Sequence, residues 1–148
     1  MKAVPLVIVL ALLTRQTPAT SAVPPGPALD YEFFKSRVQP IFLTKRPGHA
    51  RCYVCHRGTA STGYLQTLSP AAAAWNDEQS RKNFEAVRRY VIPGHPEQSR
   101  LLMHPLAVEA GGDEFHGGGR QFASKSTREW QTIAAWIRGE TLRGERLK

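Results

Sequence analysis

Cysteine is scarce in this chain, and long apolar runs are missing. Two cysteines among 148 residues cannot form the disulfide-dense core of a small secreted scaffold. No apolar run approaches the ~20 residues that a membrane-spanning helix needs, which excludes a polytopic membrane protein. The hydrophobic fraction of 41%, with 12 Gly and 11 Pro, is ordinary for a globular chain and excludes fibrous and wholly disordered proteins. A chain of this length is expected to hold one domain.

Acidic residues are missing from one long segment. Between Phe33 and Asn76 there is no Asp or Glu. An ordinary solvated surface is one interpretation of the Lys and Arg side chains found there. The other is a basic surface that attracts acidic partner proteins, formed by Lys45, Arg46, Arg51 and Arg57. Nucleic acid is not expected as a partner, because the chain has no nucleic-acid-binding motif.

The N-terminus has the layout of a secretory signal peptide. Lys2 precedes an almost wholly apolar segment, residues 3–13, and the small residues Thr20 and Ala22 stand where a signal peptidase reads. We expect residues 1–22 to be removed and the protein to be exported to the periplasm, without stable membrane insertion after cleavage. An N-terminal anchor is the alternative, but the apolar run is short for a membrane span.

The rest of the chain is predicted to be all-α with long Gly- and Pro-rich loops. We expect a Pro-rich lead-in over residues 23–29, one domain over residues 30–139 and a basic C-terminal tail over residues 140–148. No alternating strand pattern or hairpin signal is present. The predicted helices are one that starts at Asp30 and ends or kinks at Pro40, and others over residues 77–91, 99–104 and 126–137.

The last of these helices has the clearest start signal. Ser126 lies three residues before Glu129, which is the spacing of a capping box, and Gly139 is predicted to end the helix. An apolar stripe at helical spacing predicts its buried face. The stripe consists of Trp130, Ile133, Ala134 and Ile137.

Cys52, Cys55 and His56 form the pattern C-x-x-C-H, the attachment sequence of c-type haem. Cysteines three residues apart on a helical turn point to the same side, so both sulfurs can reach vinyl groups on neighbouring edges of one porphyrin. The histidine that follows directly then points its imidazole at the iron from that side. The pattern predicts one covalent haem c, with thioethers at both cysteines and His56 as the proximal iron ligand.

Other interpretations of the two cysteines stay open at this point. A zinc site would use them with two of the five histidines, although His95, His104 and His116 are too far apart for the usual paired spacing. A thioredoxin-like redox pair needs a βαβ context, which the chain lacks. The plainest alternative is a structural disulfide, which would close a very small, strained loop.

The sequence resembles the bacterial exported single-haem cytochrome c domains of the class I type, in the form found in planctomycetes. In that family a first helix, the C-x-x-C-H motif and a closing helix that ends in W-I-x-G enclose the haem. The resemblance implies a small helical fold wrapped around one covalent haem, with electron transfer as its function. The matching segments are residues 38–42, 52–56, 91–96, 99–102, 115–119 and 136–139.

The chain departs from the family at the distal iron ligand. Many relatives have Met-Pro-Pro where this chain has His116 followed by glycines, so their methionine ligand is missing there. We predict His116 as the distal ligand, because it lies 20 residues before Trp136, about where the relatives carry their methionine. Glycines 117–119 also let the backbone approach the ring closely. The alternatives are His104 and Met103, and Met103 would make an ordinary His/Met cytochrome.

The predicted function is electron transfer outside the cytoplasm, with acidic redox partner proteins as donor and acceptor. We do not expect an enzyme, because no acid–base constellation stands out and an iron with both axial sites filled cannot easily bind substrate. Two alternatives remain. One is a haem enzyme or gas sensor with a displaceable sixth ligand, and the other is a haem subunit of a larger redox assembly.

Overall fold

The computed structural model describes residues 26–59 and 62–147. Within these ranges the chain forms helices and turns but no strand, which confirms the all-α prediction for this part of the chain. The predicted signal peptide, residues 1–22, lies outside the described residues. No helix within the described ranges is both long enough and apolar enough to cross a membrane.

The first helix changes its pitch along its length. It begins as α1 (Tyr31–Phe33), continues as a π-helical turn (Phe34–Val38) and tightens into a 3₁₀ turn (Gln39–Leu43). Asp30 caps it as predicted, because its carboxylate accepts a hydrogen bond from the Phe33 N–H at 2.5 Å. Pro40 does not end the helix; it lies in the first turn of the 3₁₀ segment, where its missing N–H costs nothing.

Four further α-helices follow in the described part of the chain, besides short 3₁₀ turns at Pro96–Gln98 and Val108–Ala110. They are α2 (Cys52–His56), α3 (Asp77–Val87), α4 (Arg100–Met103) and α5 (Arg128–Ile137). The helix predicted over residues 77–91 is α-helical only as far as Val87 and then tightens into a 3₁₀ turn, Arg88–Tyr90. The short helix predicted over residues 99–104 is confirmed as α4 with its two caps.

The capping box predicted at the start of α5 is wrong. The N-cap residue is Thr127, and no side chain caps the helix. The Ser126 hydroxyl instead pairs with the Ser124 hydroxyl at 2.7 Å. The Ser126 hydroxyl therefore bonds to a neighbouring serine instead of to a backbone N–H at the start of α5.

A capping box is present at the start of α3. The Asn76 Oδ1 accepts from the Gln79 N–H at 2.9 Å, and the Gln79 Oε1 accepts from the Asn76 N–H at 3.1 Å. Two backbone donors at the helix start are thereby satisfied reciprocally. The box is formed by Asn and Gln in place of the more familiar Ser and Glu.

The core lies where the first helix, α3 and α5 meet. Phe34 is fully buried between Phe84 and Trp136, with ring centroids 5.4 Å and 5.2 Å away. The Trp136 indole N–H donates to the Asp30 carbonyl at 2.9 Å. This bond ties the last helix to the start of the first.

Gly139 ends α5, as predicted. Its φ of +85° is the left-handed conformation that glycine adopts without strain, and an added Cβ would lie 2.8 Å from the Cβ of Pro27. The following residues, as far as the structure describes them, turn back on the helix end. The Leu147 N–H donates to the Gly139 carbonyl at 2.8 Å, so the predicted tail packs on the domain up to that residue.

Candidate functional site

Both cysteines lie on α2 and line one cavity. Cys52 is half-buried and Cys55 is exposed, and both thiols are free in the part of the chain that the structure describes. The single helical turn presents the two sulfurs to the same cavity, as the spacing predicts. His56 closes the helix and lines the cavity as well.

The cavity is large enough for a cofactor and has mainly apolar walls. Its volume is about 480 Å³, within the ~300–1,000 Å³ that small-molecule and cofactor sites occupy. The walls come from the 3₁₀ end of the first helix, from α2, α4 and α5, and from the segments that connect them. Apolar and aromatic wall residues include Phe42, Tyr64, Leu101, Pro105, Phe122 and Ile133.

His56 is held in the manner of a metal-ligating histidine. Its Nδ1 lies 2.7 Å from the Thr62 carbonyl oxygen. A proton on Nδ1 would satisfy that carbonyl and leave the Nε2 lone pair open, which is the arrangement that orients a ligand imidazole. The Thr62 hydroxyl in turn donates to the Cys55 carbonyl at 2.9 Å. The N–H groups of Tyr64 and Leu65 donate to the His56 carbonyl at 2.9 and 2.8 Å.

His116 faces the same cavity with the same arrangement. Its Nδ1 lies 2.6 Å from the Gly119 carbonyl oxygen, and its ring centroid is 6.2 Å from that of His56. Two metal–imidazole bonds of ~2.0–2.1 Å to one atom would put the ring centroids ~6 Å apart. Burial lowers the pKa of His116, which favours the neutral imidazole that can bind a metal.

The two alternative distal ligands are placed differently. His104 lines the cavity, and its ring lies 5.0 Å from that of His116, nearly perpendicular to it. Its Nδ1 is 2.8 Å from the Asp113 carboxylate. Met103 packs against the hydrophobic core and is not among the described residues that line the cavity. The structure therefore brings the three histidines together and leaves the methionine out.

The four residues of the predicted basic surface differ in exposure. Lys45, Arg51 and Arg57 are exposed, and Arg46 is half-buried. The Nη1 of Arg46 donates to the Gln121 Oε1 at 3.0 Å. Gln121, which holds the Arg46 guanidinium, lies 75 positions later in the chain.

Gln121 is a site residue that sequence reasoning missed. It is buried in the cavity wall, and its Nε2 donates to the Ala50 carbonyl at 2.9 Å and to the Gly118 carbonyl at 3.3 Å. It thereby joins the segment before α2 to the glycine loop that carries His116. A lone glutamine has no sequence pattern that would point to this role.

Tyr64 is a second residue that the sequence did not indicate. Its ring lies 4.7 Å from the His56 ring and 5.0 Å from that of Tyr90, centroid to centroid. Burial raises the pKa of the Tyr64 phenol far above its usual value. Tyr64 is therefore a neutral packing partner of the His56 ring.

Within residues 26–59 and 62–147, no three His, Cys, Asp and Glu side chains are arranged to hold a metal ion by themselves. No protein-family model, curated protein or solved structure matches the chain. The motif and the side chains around the cavity are therefore the features that indicate what the chain does.

Proposed function

We propose that the chain holds one haem c in this cavity and transfers electrons outside the cytoplasm. Cys52 and Cys55 would form the two thioethers, and His56 and His116 would bind the iron. The site fits such a group through its donor chemistry, because two free thiols and two imidazoles face one largely apolar cavity.

The pairing of the two imidazoles carries the proposal. His56 and His116 come from distant parts of the chain, yet each places its Nδ1 against a backbone carbonyl. Their centroid separation of 6.2 Å, with the ring planes 30° apart, leaves room for one metal atom between them.

The haem would supply reversible one-electron chemistry, and the side chains of this chain would set its conditions. The thioethers would hold the group permanently, while the apolar walls would limit the access of water. A second histidine in place of the usual methionine lowers the reduction potential, since His/Met ligation raises it. Exposed Lys45, Arg51 and Arg57 would attract an acidic redox partner.

Covalent attachment is tested by producing the full chain together with haem-maturation machinery. After boiling in denaturant, haem staining of the protein band is expected for the parent and not for the C52A/C55A double variant. A zinc-binding protein would leave no haem on the parent band. Haem retained by the double variant would remove the cysteines from the assignment.

The distal ligand is tested by H116A, with M103L as the matched control. We expect H116A to convert low-spin ferrous haem to a high-spin form that binds carbon monoxide. M103L should leave the spectrum unchanged. The reverse pattern would assign the ligand to Met103 and leave His116 without that role.

A displaceable sixth ligand is the second candidate. The position of His104 favours it, because this side chain lies beside His116 on the cavity wall and is held by Asp113. A haem enzyme or gas sensor would bind carbon monoxide readily in the unaltered protein. A carrier would stay low-spin in both oxidation states.

A further inference from the structure

Arg46 is fixed just behind the wall of the cavity. Besides its hydrogen bond to Gln121, its guanidinium carbon lies 5.3 Å from the centre of the Phe122 ring. Gln121 and Phe122 both line the cavity and are only 6% and 2% exposed. An arginine held between a buried amide and a buried ring has little freedom to turn out to solvent.

The charge of Arg46 is not compensated within the described residues. None of the ion pairs found in residues 26–59 and 62–147 includes Arg46, and its Nη2 is buried without a hydrogen-bond partner there. The amide oxygen of Gln121 accepts one hydrogen bond but carries no net charge. Arg46 is half-buried and its Nη2 is out of contact with water, so its field is screened less than that of a fully exposed arginine.

Cys52 is one of the groups that this field reaches. Gln121 and Phe122, which hold the guanidinium, line the same cavity as Cys52, so the charge lies close to the point at which the haem would be attached. Burial raises the pKa of the Cys52 thiol, and the charge of Arg46 opposes the rise.

We propose that the charge of Arg46, held behind the cavity wall, raises the reduction potential of a haem attached at Cys52. The ferric form carries one more positive charge than the ferrous form, so a fixed cation nearby destabilises the ferric form more. Burial and local charge are among the means by which a protein sets a haem potential. The inference rests on the proposed function, because it needs a haem at this position.

The test compares R46Q with R57Q in redox titrations followed by the haem spectrum. Both variants lose one positive charge near the C-x-x-C-H motif, but Arg57 is exposed. We expect R46Q to shift the ferric-to-ferrous ratio at a given potential about tenfold towards ferric, which is ~59 mV for a one-electron couple. R57Q should shift it less than about threefold, because water and salt screen the charge.

Two further measurements separate charge from packing. R46K keeps the positive charge but loses the planar guanidinium, so its reduction potential should stay closer to that of the parent than to that of R46Q. The R46Q shift should also change little between low and high salt, whereas any R57Q shift should shrink. If R46Q fails to take up haem, R46M replaces it, since an apolar side chain suits the half-buried position.

Equal shifts for R46Q and R57Q would overturn the inference, and so would an R46K shift as large as that of R46Q. A parent protein without covalent haem would overturn the proposed function. A haem-bearing parent with an unmoved R46Q potential would overturn only the role of Arg46.

Discussion

Asn83 should be one of the most sensitive polar positions in the molecule. Its Oδ1 accepts from the Gln66 N–H at 2.6 Å, and its Nδ2 donates to the Gln39 Oε1 at 3.3 Å. The Gln39 Nε2 then donates to the Ser80 hydroxyl at 2.9 Å. Asn83 and Ser80 are fully buried, and Gln39 is 4% exposed. One side chain on α3 therefore connects the first helix to the segment after the C-x-x-C-H motif.

The expected cost of N83A follows from these contacts. The Gln66 N–H and the Gln39 Oε1 would each lose a partner, at ~1–3 kcal/mol for each buried group. The better helix propensity of alanine returns only ~0.5–0.7 kcal/mol. We expect a loss of about 1.5–5 kcal/mol in the free energy of unfolding.

The matched control is N76A, which makes the same chemical change at the exposed N-cap of α3. Loss of this cap should cost about 1 kcal/mol. Urea unfolding of each variant, followed by far-UV circular dichroism, gives the two values. If N83A proves no more costly than N76A, the buried network does not stabilise the fold in the way argued above.

Two other predictions use the same chain. G139A should lower the free energy of unfolding more than G144A. Both glycines have positive φ, but an added Cβ would lie 2.8 Å from Pro27 at position 139 and in open space at position 144. Equal losses in urea unfolding would show that strain at positive φ, ~1–2 kcal/mol, is the whole effect. R51E/R57E should slow oxidation of the ferrous protein by the hexacyanoferrate(III) anion, and the difference should shrink as salt rises. Equal rates at low ionic strength would mean that this surface does not steer the anion.

Local signals predicted the parts of the fold that depend on a few neighbouring residues. The Asp30 cap and the Gly139 stop each need only one helix end to form, and both are confirmed. The spacing of Cys52 and Cys55 likewise needs only one helical turn to present both sulfurs to a single cavity.

Positions set by distant partners could not be predicted in this way. In the sequence Arg46 looks like the other basic residues near the motif. Only the folded structure shows that it packs against Gln121 and Phe122. The facing of His56 and His116 also depends on how the glycine loop packs over α2. His116 was therefore predicted only from its distance to Trp136, by comparison with the ligand methionine of similar proteins. Its role as the distal ligand stays a proposal.

The hydrogen bond from Trp136 to Asp30 has a consequence for the order in which the protein can assemble. It joins residues 106 positions apart, so the hydrophobic core cannot close until nearly the whole domain has been synthesised. The C-x-x-C-H segment emerges long before that point. During synthesis the two thiols would thus be presented on a chain that is still open, and closure by the last helix would follow as a separate, later event.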